Sequence, residues 1–230
     1  MAQQQEYAVV VAGGSGTRMK SEIPKQFLPI GGQPLLMHTL EAFYRYSPEV
    51  IIILVLPEAD MDRWKQLCTE HNFTIPHTRQ TGGKSRYQSV RRGLDKIHGD
   101  GLVAVHDGVR PFILPDSLGA SYRLAAIHGS AVASVRLKDS IRITDKDTTK
   151  AVDRSQFRLI QTPQTFQVKL IKEAYEAVSE EGITDDASVA EKAGHRISLF
   201  EGSYENIKIT TPEDLYIGEA IFSKQIAERE

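Results

Sequence analysis

Short apolar runs alternate with amphipathic stretches through the first half of the chain. Tyr7–Val11 is the first run, Val50–Leu56 (VIIILVL) the clearest, and Leu102–Val105 and Ala131–Val135 follow. Runs of this length, rich in Val and Ile, are the pattern of strands buried on both faces of a parallel sheet. The stretches between them predict helices over about 35–46, 60–70, 85–97 and 116–128, with Pro34, Pro48, Pro57 and Pro115 punctuating their edges. Such alternation predicts an α/β, doubly wound sheet.

The pattern changes over 138–162. Ile141 and Ile143 alternate with Arg142 and Thr144, and Asp145-Lys146-Asp147 predicts a turn, so this segment reads as a β-hairpin arm leaving a mixed sheet. A hairpin of this kind calls for a cover, and a second subunit is one candidate; a solvated hairpin without a partner is the other. Beyond it the sequence predicts helices over 169–179 and 186–193, strands over 196–200 and 207–209, and a last helix opened by Thr211-Pro212-Glu213-Asp214. That tetrapeptide combines a capping threonine, a first-turn proline and acids at the positive end of the helix dipole. No repeat or low-complexity tract interrupts the 230 residues, which read as one domain, 1–230.

Composition narrows the function classes. At 40% hydrophobic residues the chain can bury a full core without disulfides or a structural metal. Its single cysteine, Cys68, excludes an internal disulfide and a multi-cysteine zinc site, and its place in a predicted helix reads as an inert thiol. The net charge of -2 argues against a general nucleic-acid binder, so an anionic ligand must be held by locally placed cations. No apolar run approaches the ~20 residues needed to cross a bilayer. The polar start, 1–6, lacks the regions of a signal peptide, which leads to the expectation of a cytoplasmic protein with no membrane partner.

The densest chemistry follows the first strand: Ala12-Gly13-Gly14-Ser15-Gly16-Thr17-Arg18-Met19, then Pro24-Lys25-Gln26. Without Cβ atoms, such a loop lets backbone N–H groups close around an oxyanion. The dinucleotide fingerprint would need glycine where Met19 stands. Gly83-Lys84-Ser85 ends like a P-loop, but position 78 is threonine. Arg18 offers a planar fork and Lys25 a point charge, suited to the negative charge that builds during displacement at a phosphate.

At these residues the chain resembles nucleotidyltransferases that act on sugar phosphates, and Lys25-Gln26-Phe27 narrows the resemblance to cytidylyltransferases. Further matches are Gly82-Gly83 with Ser85-Arg86 and Ser89-Val90; His106-Asp107-Gly108-Val109-Arg110-Pro111; Val152-Asp153-Arg154; Thr162-Pro163-Gln164; Thr184 to Ser188; and Asn206 to Thr210. Together, in this order, they look like the 2-C-methyl-D-erythritol 4-phosphate cytidylyltransferase family of the non-mevalonate route to isoprenoids, over roughly 7–220. The resemblance implies that Ala12, Gly13, Gly14 and Gly16 wrap a triphosphate, while Arg18, Lys25 and Lys208 carry catalysis. It further implies that Gly82, Gly83 and Ser89 contact cytosine, and that Asp107 lies near ribose, substrate hydroxyls and Mg2+, itself held mainly by CTP phosphates. Arg154, Thr162 and Thr184 would hold the polyol phosphate. A homodimer is implied as well, with the arm at its interface and Arg154 serving the neighbour's site.

Several of these residues also have plainer readings. Asp107 could cap the next turn, Arg110 could be an internal ion-pair partner, Thr184 could be a helix cap, and His106 reads as a packed strand-end residue. Arg86 has no assigned role. Lys208 between Ile207 and Ile209 reads as a lysine on the opposite face of a strand, favouring a ligand role. The chain departs from the commonest family pattern at Gly13, Gly108, Val109 and Ser140, each a small change that leaves the charges in place. D-ribitol-5-phosphate cytidylyltransferase and a non-catalytic nucleotide-binding protein are the alternatives.

Overall fold

The computed structural model describes residues 4–13, 19, 21 and 23–228. Five-residue apolar runs with no polar alternation cannot face water on either side, and they form the middle of a seven-stranded sheet. Its strands are β1 (Glu6–Val11), β4 (Ile51–Leu56), β5 (Thr78–Thr81), β6 (Leu102–Asp107), β7 (Ser130–Arg136), β10 (Arg158–Gln167) and β11 (Leu199–Glu201), in the order β11-β7-β10-β6-β1-β4-β5. All neighbours are parallel except β10, which runs antiparallel to both β6 and β7. Two small sheets stand apart: β2 (Pro29–Ile30) with β3 (Gln33–Pro34), and β8 (Ile141–Asp145) with β9 (Thr148–Val152).

The period of two along each strand divides the core between the sheet's faces. Ala8, Val10, Ile52, Leu54, Leu102 and Ala104 turn to one face, under α1 (Leu35–Tyr46), α2 (Met61–Glu70) and α4 (Pro115–His128). Tyr7, Val9, Val11, Ile53, Val55, Val103 and Val105 turn to the other, under α3 (Arg86–Leu94), α5 (Val168–Ala177) and α6 (Asp186–Lys192). Fully enclosed Trp64, Phe43 and Tyr122 fill the first layer. Gly129 ends α4 at φ 83°, a left-handed conformation that glycine adopts without steric cost. The last helix, α7 (Pro212–Ala227), opens with the expected threonine cap, which Asp214 completes as a capping box, and packs beside Ile30, Phe112 and Ile209.

The doubly wound mixed sheet with its β-arm is therefore present, with some corrections to individual elements. Residues 207–209 do not form a strand. They lie beyond the end of β6, beside a turn, where the Ile207 N–H turns back to the Glu205 carbonyl at 2.7 Å and the Ile209 N–H reaches the Val109 carbonyl at 2.9 Å; one local bond and one cross-chain bond make no ladder. Strand β11 is shorter than expected and shifted toward Glu201. Two strands of the main sheet were hidden in the sequence. Strand β5 (TRQT) is polar and forms an edge. Strand β10 contains Pro163, which argues against a ladder; a register shift between Ile160 and Gln164 takes the proline out of the pairing.

Candidate active site

Chain order reverses direction across the sheet at β1, whose neighbours β4 and β6 are both parallel to it. Loops leaving the carboxyl ends of two such strands diverge and leave a crevice, the usual ligand site of open α/β sheets. A cleft of about 440 Å³ lies there, lined by Ala12 and Gly13 after β1, Lys25 and Gln26, Lys84 to Arg86 and Ser89 at the start of α3, Asp107 and Val109 after β6, and Lys208. Gly14, Gly16 and Arg18 of the glycine loop lie outside the described residues.

Local chemistry sets each wall. The Ala12 N–H donates to the Val55 carbonyl at 3.0 Å, extending the β1–β4 pairing to the threshold of the loop. Gly13 has open space where a Cβ would stand, apart from Pro57 at 3.7 Å. Lys25 is buried in a 3-10 turn, Lys25–Phe27, and Gln26 ties that turn to the start of α2 by donating to Asp60 Oδ2 at 2.7 Å. Gln26 Oε1 is buried without a hydrogen-bond partner among the described residues.

On the opposite strand pair, Gly82 donates to the Leu56 carbonyl at 2.7 Å, so the chain passes close over the end of β4. A Cβ on Gly82 would meet Ser89 Oγ at 2.8 Å, and one on Gly83 would meet Gln88 Cβ at 2.3 Å. Both positions therefore require glycine for close approach. Ser89 Oγ donates to the Ser85 carbonyl and accepts from the Gly83 N–H, so its hydroxyl shapes this loop. Ser85 caps α3 by accepting from the Gln88 N–H.

Asp107 sits at the electrostatic centre. Its Oδ1 lies 3.3 Å from Arg86 Nε, and its Oδ2 lies 2.9 Å from Lys208 Nζ and 3.5 Å from Arg110 Nε. Burial opposes its charge, but Arg86, Lys208 and Arg110 outweigh burial and hold the carboxyl well below the usual carboxylate range. It is thus a permanent anion and unsuited to proton transfer. Arg110 also donates to the Asn206 carbonyl at 2.8 Å, which fits the internal ion-pair reading. His106 is fully enclosed and burial pushes its pKa down to about 4, so it is a neutral packed ring rather than an acid or base at neutral pH.

The residues named for the polyol phosphate are not gathered in this cleft. Thr162 is buried, its hydroxyl accepting from the Asp107 N–H at 3.1 Å and lying 3.1 Å from His106 Nδ1. Thr184 is exposed beside Ser188, and the cap of α6 is Asp185, not Thr184: Asp185 accepts from the Ser188 N–H. Arg154 is exposed in a short turn after β9, hydrogen-bonded to the Lys138 carbonyl. Lys208 reaches Asp107 from an irregular segment, so the strand geometry expected for it is replaced by a direct ion pair.

Sequence reasoning left Arg86 unassigned and overlooked Asp186. The Arg86 fork grips Asp186 at 3.1 and 2.7 Å across 100 positions of chain, a separation that no local pattern reveals. No group of three or more His, Cys, Asp or Glu residues is placed for a metal among the described residues, and both Asp107 oxygens already face cations. No described helix is long and apolar enough to cross a membrane.

Comparison with known proteins places this site in context. The family model for 2-C-methyl-D-erythritol 4-phosphate cytidylyltransferase matches residues 7–224. The enzyme of that name from Bacteroides thetaiotaomicron is 48% identical over 213 residues, covering 93% of this chain and 97% of the relative. The one from Bacteroides fragilis is 45% identical, covering 93% and 98%. The crystal structure of 4-diphosphocytidyl-2C-methyl-D-erythritol synthase from Anaerococcus prevotii superposes with a TM-score of 0.82 at 30% identity, covering 96% of each chain. With most of its length matched in both sequence and fold, the chain belongs to the 2-C-methyl-D-erythritol 4-phosphate cytidylyltransferase family.

Proposed function

We propose that this enzyme transfers a cytidylyl group from CTP to 2-C-methyl-D-erythritol 4-phosphate, giving 4-diphosphocytidyl-2-C-methyl-D-erythritol and pyrophosphate. The observation that carries this reading is the cleft at the ends of β1 and β6, where the start of a glycine loop meets Lys25, Lys208 and the Lys84-Ser85-Arg86 turn that opens α3. A phosphate oxygen of the polyol attacks the α-phosphorus of CTP. The bond from that phosphorus to the bridging oxygen breaks, and the electron pair leaves with pyrophosphate. The attacking phosphate is already anionic, so no general base is required, in keeping with an ionised Asp107 and a neutral His106.

In this reading Ala12, Gly13, Gly14 and Gly16 hold the triphosphate, and Arg18, Lys25 and Lys208 stabilise the charge that develops on its oxygens. Gly82, Gly83 and Ser89 form the cytosine side. A divalent metal bound with CTP would neutralise charge on the nucleotide's phosphate oxygens, and Asp107 is the acidic side chain lining the cleft where it would stand. Arg154 and Thr184 hold polyol phosphate, Arg154 that of a neighbouring subunit. The exposure of Arg154, and its place outside its own chain's cleft, support a homodimer built through 138–162. Thr162 acts through Asp107 and His106, the partners its hydroxyl already has. A cytoplasmic location accords with substrates of this kind.

The test is pyrophosphate release with CTP, UTP or GTP against methylerythritol phosphate and ribitol 5-phosphate. Release with CTP and methylerythritol phosphate alone is the expected result. Preference for ribitol phosphate would reassign the substrate, and absence of release with every pair would sink the reading.

A further inference from the structure

We infer that Arg86 and Asp186 form a positioning pair for the transfer reaction, fixing the Asp107 carboxylate and, through it, the ammonium of Lys208 in the cleft. This rests on the cytidylyl-transfer reading.

The geometry is that of a closed ring. Asp186 is wholly enclosed at the start of α6 and takes the Arg86 fork on both oxygens, at 3.1 and 2.7 Å. Tyr175 of α5 donates to Asp186 Oδ1 at 2.7 Å, fixing the carboxylate from behind. With both Nη atoms committed to Asp186, Arg86 directs its Nε to Asp107 Oδ1 at 3.3 Å. On the far side, Gln164 of β10 accepts from the Ala187 N–H at 2.7 Å and donates to Asp185 at 2.9 Å. Two residues earlier on β10, the Thr162 hydroxyl accepts from the Asp107 N–H. Asp107 is thus held by its backbone from β10 and by its side chain from α3, and α6 joins the two holds.

Lys208 depends on this ring. Its segment makes no ladder, and the partner the structure shows for its ammonium is Asp107 Oδ2 at 2.9 Å. Were Arg86 free of Asp186, its planar fork could face Asp107 directly and compete with Lys208 for the same carboxylate. Burial works against the Arg86 charge, but Asp186 and Asp107 outweigh it and raise its pKa above the ordinary value, so the pair stays ionised. A buried ion pair is weak support for stability, because desolvation offsets its attraction, and the gain sought here is orientation.

The experiment measures kcat and both KM values, per folded site counted by CTP titration, for Arg86→Lys and Asp186→Asn. Each should lower kcat roughly 10- to 100-fold, the scale of an ångström-level misplacement, with KM for CTP within about threefold of wild type. The double variant should be no worse than the weaker single, within about threefold, as expected of residues acting as one unit. A kcat within twofold of wild type in the folded single variants would make the pair structural only. A raised KM for CTP at unchanged kcat would make Arg86 a nucleotide ligand; either outcome overturns the inference. Should Asp186→Asn not fold, Arg86→Lys and Tyr175→Phe carry the test, the latter lowering kcat a few-fold at constant KM. Wild-type protein that released no pyrophosphate would instead remove the transfer reading, and this inference with it.

Discussion

At Lys25 a side chain that water would normally claim is buried in a tight turn beside the glycine loop. A cation held there has already met desolvation cost before the ligand arrives, so in the proposed reaction it would meet a developing oxyanion with little reorganisation. Lys25→Ala should lower kcat at saturating CTP on the order of 10²- to 10³-fold, the scale of a lost oxyanion donor. Near-normal turnover would strip Lys25 of its role. Two histidines make a different claim, on stability. His106 is held neutral by burial, and His77 by burial and the nearby Arg79 charge, which outweigh the Ile75 carbonyl at 2.8 Å. Both have folded pKa values below the unfolded one, so the stability they contribute is present above about pH 6.5 and is lost as pH falls through the folded value, about 4 for His106. For His106 the difference corresponds to on the order of 3 kcal/mol. Melting temperature should therefore drop between pH 6.5 and 4, and His106→Gln should flatten that drop. An unchanged slope in the variant would refute the assignment.

At the level of elements, α6 is short, so its placement depends on its first turn. Asp185→Ala removes the cap on the Ser188 N–H and the acceptor for Gln164, and should cost about 1–2 kcal/mol, read from the urea midpoint. A smaller cost would mean that the Arg86–Asp186 pair alone seats this helix. The sequence made most elements legible wherever burial imposed a single period: β1, β4, β6 and β7 read as apolar runs, and α1 was bounded at both ends. Polar β5 carried no such signal, and Pro163 concealed β10. The segment 207–209 carried a strand pattern that lacked a neighbour to pair with. The cleft was legible as a list of residue types, since glycines and cations advertise phosphate chemistry locally. Asp107 was legible as a site residue and Arg110, three positions on, as an ion-pair partner, but Arg86 and Lys208 were not legible as its other two cations, because they approach from separate elements.

For the molecule as a whole, the arm poses the largest question. Strands β8 and β9 form a sheet of only two, and Ile143, Phe157, Leu159 and Ile160 on and after it are exposed. An isolated hairpin is marginal in water. Light scattering should give twice the chain mass at working concentration, and a fully active monomer would exclude a shared site. Arg154→Ala should raise KM for the polyol phosphate more than for CTP. Mixing Arg154→Ala subunits with Lys25→Ala subunits should restore activity, because one site of each hybrid then has both residues intact. No recovery in a verified hybrid would place Arg154 in its own chain's site. The outer strands of the main sheet bear on how such copies can meet. One border is β5, four residues carrying Arg79 and Gln80; the other is β11, three residues ending at Glu201. Short, polar borders offer little backbone for another chain to zip onto, so growth of the sheet into filaments is discouraged at both sides. In the proposed dimer, self-association would run instead through the hairpin, where pairing of two copies can close on itself and stop.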